Sequence, residues 1–165
     1  MNFTLEAHIP SNFNDNARVW IFQSSRLFSL QEAFEIDNTL KELCANWKSH
    51  GQPVKGYANL FFGQFIVIMA DETAATVGGC STDNFFRIIK QIEASYHVNL
   101  FDRQMLAFFI KDKIELLPLA QFAFAIKNHH IEPTTIYFNN TVGTKKELLN
   151  NWMTPINNSW LAAKV

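Results

Sequence analysis

Three stretches of the chain are apolar at every position instead of at alternate ones: residues 19–22, 65–70 and 105–110. Unbroken apolar runs of four to six residues, rich in β-branched and aromatic side chains, predict strands covered on both faces. Around them lie segments with other periods. Residues 18–23 (R-V-W-I-F-Q) form the first strand, after an irregular lead-in over residues 1–17 that carries Pro10, Asn12, Asn14 and Asp15. Ser29-Leu30-Gln31-Glu32 has the form of a capping box and opens a helix expected to run to about residue 49. Leu30, Ala33, Phe34, Leu40, Leu43, Cys44 and Trp47 fall near helical spacing, with Gly51 placed to end the helix. Strands at 57–62 and 65–70 flank Gly63-Gln64 as a tight hairpin turn.

A loop over residues 71–83 follows, then a second helix over 84–96 with the stripe Phe85, Ile88, Ile89, Ile92 and Tyr96. Residues 104–110 and 113–117 predict another hairpin around Lys111-Asp112. A helix over 119–128, a strand over 135–139 and a short helix capped by Thr144 complete the chain. The order is β-α-β-β-α-β followed by β-α-β-α, so the fold class is α+β in a single domain. Its first six elements match the ferredoxin-like, split-βαβ arrangement. Two helices cover only one face of such a sheet. The fully apolar strands therefore require a second cover, expected from the C-terminal extension, with a homodimer as the alternative.

Composition agrees with a well-filled core. The chain has 165 residues, 48% of them apolar and 18% charged, with a net charge of −1. One domain of this length buries roughly 70% of its unfolded surface. Near-neutral charge argues against broad electrostatic attraction to nucleic acid or membrane. No apolar run approaches the length of a membrane span. The two cysteines, Cys44 and Cys80, make neither a disulfide framework nor a zinc pattern. The first residues lack the basic start and apolar centre of a signal peptide, so the expected compartment is cytoplasmic.

Candidate chemistry concentrates in the loop over residues 71–83. Cys80 follows Gly78 and Gly79 just ahead of a helix, where Ser81 or Asp83 would cap. A thiol there lies near the positive end of a helix dipole, and the N–H groups of the glycine turn can meet an oxyanion. The competing reading is an inert, buried cysteine filling a tight strand-to-helix connection. Asp71 and Glu72 end the most apolar strand and supply paired carboxylates for acid–base work, or simply satisfy backbone donors as the chain leaves the sheet. Cys44 lies on the apolar face of the first helix and is expected in the core.

The five histidines show no pair at metal-ligand spacing, so no metal site and no cofactor are expected. A phosphate-binding loop needs G-x-x-x-x-G-K-[ST], which the chain lacks. Lys55-Gly56-Tyr57-Ala58-Asn59-Leu60-Phe61-Phe62 approaches the ribonucleoprotein signature of RNA-recognition domains. Asn59 stands at the central stacking position, however, and the match falls on the second strand of the order, not the third. Nucleic acid is therefore not the expected partner.

Several segments resemble an uncharacterised bacterial family often labelled "ABC transporter ATPase". They are Asn16-Ala17-Arg18-Val19-Trp20-Ile21-Phe22-Gln23-Ser24, Gly79-Cys80-Ser81-Thr82-Asp83, Asp102-Arg103, Tyr137-Phe138-Asn139-Asn140, and the tail from Trp152 through Ser159-Trp160. The resemblance spans nearly the whole chain after residue 13. It implies no established activity and no catalytic residue, and the missing phosphate-binding loop sets the label aside. Gly78 before Gly79 and Leu161 after Trp160 depart from the family's pattern.

The sequence thus predicts a small cytosolic binding or regulatory domain, self-associating or binding a small-molecule or anionic ligand through the 71–83 loop. Gly78, Gly79, Ser81 and Asp83 would form the ligand surface. Alternatives are a thiol-dependent enzyme using Cys80 with Asp71 and Glu72, and an RNA-binding module.

Overall fold

The computed structural model describes residues 4–165. A single-turn 3-10 helix, Leu5–His8, leads into β1 (Arg18–Gln23) and α1 (Leu30–Ala45). A two-residue strand pair follows, β2 (Lys48–Ser49) and β3 (Gln52–Pro53), and then β4 (Lys55–Phe61), β5 (Phe65–Asp71) and α2 (Gly79–Tyr96). The second half comprises β6 (Met105–Ile110), β7 (Lys113–Pro118), α3 (Phe122–Lys127), β8 (Ile136–Phe138), α4 (Lys145–Asn151) and β9 (Met153–Pro155), ending in two short 3-10 turns. No helix among the described residues is long and apolar enough to cross a membrane.

The predicted capping box is present: the Ser29 hydroxyl accepts from the Glu32 N–H at 3.1 Å, and the Glu32 carboxylate accepts from the Ser29 N–H at 2.8 Å. The helix it opens ends at Ala45, short of residue 49. Trp47 is buried instead against Trp20 and Phe85, and Gly51 forms the second position of the β2–β3 hairpin's turn, with φ positive at both His50 and Gly51. Trp47 also explains Gly56: a Cβ there would lie 2.5 Å from Trp47 Cε3, so the ring needs a bare backbone beneath it. Two positions of the predicted stripe face outward. Leu30 and Phe34 are 90% and 66% exposed, whereas Ile36, Leu40 and Leu43 carry the contact with the sheet.

The strands form two main sheets. The first has the order β1-β5-β4, with both pairings antiparallel. Every residue of β5 is buried. Its alternate side chains Ile66, Ile68 and Ala70 pack beneath α1 and α2, while Phe65, Val67 and Met69 join Phe138, Leu148 and Trp152 from the C-terminal half. The C-terminal extension is therefore the second cover, and no second copy of the chain is needed for it. The second sheet has the order β7-β6-β8-β9. Its outer face, through Leu106, Phe108 and Tyr137, packs against α3 and the tail residues Ile156 and Leu161.

The mixed α+β class holds, and β1, β5 and β4 stand in the order a ferredoxin-like sheet requires. The fourth strand of that arrangement does not join them. Residues 105–110 pair with β7 and β8 in the other sheet. Both edges of β6 are taken within that sheet, one by β7 across a two-residue turn and the other by β8, so neither is left for β1.

Candidate functional site

The loop after β5 holds the residues that sequence reasoning selected. Asp71 is 3% exposed, and its carboxylate is saturated. Oδ1 accepts from the Thr73 hydroxyl at 2.6 Å and the Thr73 N–H at 3.0 Å; Oδ2 accepts from the Asn14 N–H at 2.8 Å, with Lys55 Nζ 3.7 Å away. The Thr73 hydroxyl and the Asn14 N–H hold the acid at about 2, below the usual carboxylate range and against the opposing effect of burial. Glu72 accepts from the Val77 N–H at 2.8 Å and meets Arg18 at 3.4 Å. Both carboxylates thus tie down the loop and the N-terminal segment.

Further along, α2 starts five residues before its predicted start, because Gly78 is the N-cap and Gly79 the first helical residue. Neither Ser81 nor Asp83 caps it. The Ser81 hydroxyl donates to the Lys48 carbonyl at 2.9 Å, fastening the first turn to β2, and Asp83 is exposed on the helix. Cys80 is exposed in the first turn. Among the described residues no hydrogen bond joins it to Asp71, Glu72 or a histidine. His50 stands near the start of the helix, with Nε2 3.3 Å from where a Cβ on Gly78 would lie. Cys44 is partly buried, and burial pushes its thiol up to about 11. No group of three or more His, Cys, Asp or Glu among the described residues could hold a metal.

The ribonucleoprotein-like segment forms β4, which β5 separates from β1. Tyr57 and Phe61 pack into the core between the two sheets, and the Tyr57 hydroxyl donates to the His8 carbonyl at 2.6 Å. Tyr57 is half-buried there and Phe61 is buried.

A different region carries a concave site. Because β6 joins the second sheet, the outer edge of β1 is left beside a cleft between the sheets. Hydrogen bonds fix which residues face it. The Ala17 carbonyl accepts from the Lys145 N–H at 2.9 Å, and the Val19 N–H donates to the Gly143 carbonyl at 3.0 Å, both away from β5. Ser24, by contrast, donates to Gln64 on the β5 side at 2.8 Å. The strand's alternation therefore turns the Ile21 N–H and C=O to the open edge. Among the described residues no hydrogen bond outside the sheet ladder involves them.

The cleft has two adjoining hollows, of about 140 and 350 Å³, and Ile21, Phe22, Arg103, Asn140 and Thr141 line both. Its base is a chain of half-buried hydrogen bonds through two side-chain amides. Trp152 Nε1 donates to Asn140 Oδ1 at 3.0 Å, Asn140 Nδ2 to Gln23 Oε1 at 2.9 Å, and Gln23 Nε2 to the Met105 carbonyl at 3.0 Å. At one wall, Trp160 Nε1 donates to the Tyr137 hydroxyl at 3.2 Å. Tyr137 is 4% exposed, and burial pushes its phenol up, so it stands as a neutral donor whose own proton has no acceptor among the described residues. Arg103 at the mouth makes no hydrogen bond or ion pair among the described residues, whereas Arg18 and Arg26 both do. Asp102 beside it accepts from the Gln104 N–H at 2.9 Å.

Residue-by-residue reading missed this site, since an open strand edge and a convergence of single amides, rings and one arginine have no local pattern. The one signal was indirect. Segments named above for the family resemblance supply Ile21, Gln23, Arg103, Tyr137, Asn140 and Trp160, drawn from four separate parts of the chain. Comparisons with models of protein families, with curated proteins and with solved structures returned no match.

Proposed function

We propose that this chain is a cytoplasmic small-molecule-binding domain whose ligand site is the inter-sheet cleft at the edge of β1. Its first six elements are read as a ferredoxin-like unit opened at the place of its fourth strand, with the ligand in the opening. One observation carries the reading: Arg103, without a hydrogen bond or ion pair among the described residues, stands at the mouth of a hollow beside backbone groups of Ile21 that are likewise unpaired among them. Small-ligand sites combine an apolar concavity with a few converging polar groups, and this cleft has both. A thermal-shift screen of small fragments tests it. Stabilising hits should lose their effect in Thr141→Trp, which fills the cleft from an exposed position, and keep it in Cys80→Ala. Hits indifferent to Thr141→Trp and abolished by Cys80→Ala would contradict the reading.

A second reading rests on Cys80. Its exposure at the start of α2, with His50 beside Gly78, supports a reactive thiol. Iodoacetamide labelling across pH decides it: a reactive thiol labels well below pH 8 and slows in His50→Ala, whereas an ordinary thiol gains rate only towards its usual pKa.

A further inference from the structure

The cleft's dimensions and its free polar groups specify the ligand more closely, given the reading of the cleft as a binding site. The free edge of β1 is closed at both ends. Towards Arg18 the Gly143 carbonyl takes the Val19 N–H, and towards the other end the Asn140 amide bridges to Gln23. The outward backbone groups left without a hydrogen bond among the described residues are those of Ile21 and Gln23, a short edge beside the Asn140–Gln23 side-chain pair. That length suits a single carboxylate or amide and excludes an added peptide strand, which needs several consecutive pairs. The smaller hollow, at about 140 Å³, nearly equals the engineered apolar cavity of about 150 Å³ that holds benzene, so it fits one ring and little more. Phe101, Phe22 and the buried Tyr137 line it with ring surface.

Charge selects the head group. One guanidinium, Arg103, borders both hollows, and the carboxylate of Asp102 lies next to it along the smaller one. A phosphate dianion would meet a single cation together with that repelling carboxylate. A planar monoanion matches the guanidinium fork and leaves one net negative charge with Asp102 counted, where the dianion leaves two. We propose that the cleft binds a small aryl monocarboxylate, with its ring in the smaller hollow and its carboxylate between Arg103 and the Ile21 N–H. Tyr137 has a hydroxyl proton to offer any further acceptor on the ring. Asp102 would also receive an ammonium group, so an aromatic amino acid is one source of this chemistry and a simple aromatic acid the other.

Titration of the ¹⁵N-labelled protein with benzoate, benzamide and phenylalanine, followed by NMR, tests this. Benzoate should shift the Ile21 amide and the Trp160 indole N–H and bind at least about tenfold more tightly than isosteric benzamide, as a charge-assisted pair requires. Arg103→Gln should remove that advantage while leaving benzamide binding unchanged, and Arg103→Lys should restore only part of it. Phenylalanine binding more tightly than benzoate, with the gain lost in Asp102→Asn, would identify the amino-acid source; equal or weaker binding would identify the simple acid. Equal binding of benzoate and benzamide in the cleft would overturn the carboxylate proposal and leave the cleft as a ligand site. Failure of every ring-bearing probe to shift cleft resonances would overturn both.

Discussion

The 71–83 loop meets β1 at Arg18, and the inter-sheet cleft is centred about 10 Å further along the strand, at Ile21. They differ in what their polar groups are free to do. In the loop, Asp71 and Glu72 already accept from Thr73, Asn14 and Val77, and Ser81 is bonded to β2. In the cleft, the amide chain is satisfied along its base, yet the Arg103 guanidinium, the Ile21 backbone and the Tyr137 hydroxyl proton are not. Residue types of high chemical interest can thus serve structure, while ordinary ones gather into a site. Saturated hydrogen bonding distinguishes the first case from the second.

This contrast is open to mutation. The largest effect belongs to Asp71→Ala, which strands two backbone N–H groups and a hydroxyl and leaves Lys55 without its carboxylate; unfolding in urea should show a loss of about 3 kcal/mol. If the loop were a ligand site and not a fastening, that loss would be small. Acid should reproduce part of it. The Asp71 acid is held at about 2 against an ordinary value near 3.8, so its contribution is complete above pH 4 and disappears as pH falls from about 4 to about 2. That contribution is on the order of 2 kcal/mol, and an Asp71→Asn variant should show a correspondingly flatter stability profile over the same range. On the cleft side, Trp152→Phe keeps the ring packing against Phe65 and Phe138 but removes the donor to Asn140. Stability should fall by about 1 kcal/mol, with a loosened Asn140–Gln23 pair seen in the side-chain amide resonances. The smallest effects belong to Arg103→Gln and Cys80→Ala, each expected within about 0.5 kcal/mol of the parent by thermal unfolding, because neither side chain is packed or paired. A large loss from Arg103→Gln would mean that the guanidinium has a structural partner and is not free for a ligand.

Much of the fold was legible in the sequence because local rules agree with the final structure. The Ser29–Glu32 capping box, the Thr144 cap and the fully apolar β5 are all present. The apolar pattern of β5 also pointed to a second cover, which Phe138, Leu148 and Trp152 provide. What local pattern could not carry is the choice of partner on the second edge of β6, since residues 105–110, already in a hairpin with β7, would pair as well with β1 as with β8. The start of α2 was misplaced for a related reason. Its cap is Gly78, whose contribution is backbone conformation alone, while the stronger capping residues Ser81 and Asp83 lie inside the helix. The outward turn of Leu30 and Phe34 shows a helical stripe wider than the face the sheet covers. Of the sites, the loop was legible as residue types but not as a set of closed hydrogen bonds, and the cleft depends on where a strand goes.

The most direct measurement is a fragment screen read residue by residue in the backbone amide spectrum of the whole chain. Cleft binding predicts that hits shift Ile21, Phe101, Thr141 and the Trp160 indole while the amides of Gly79, Cys80 and Asp83 stay still. Hits that move Gly79, Cys80 and Asp83 and leave the cleft silent would contradict the account.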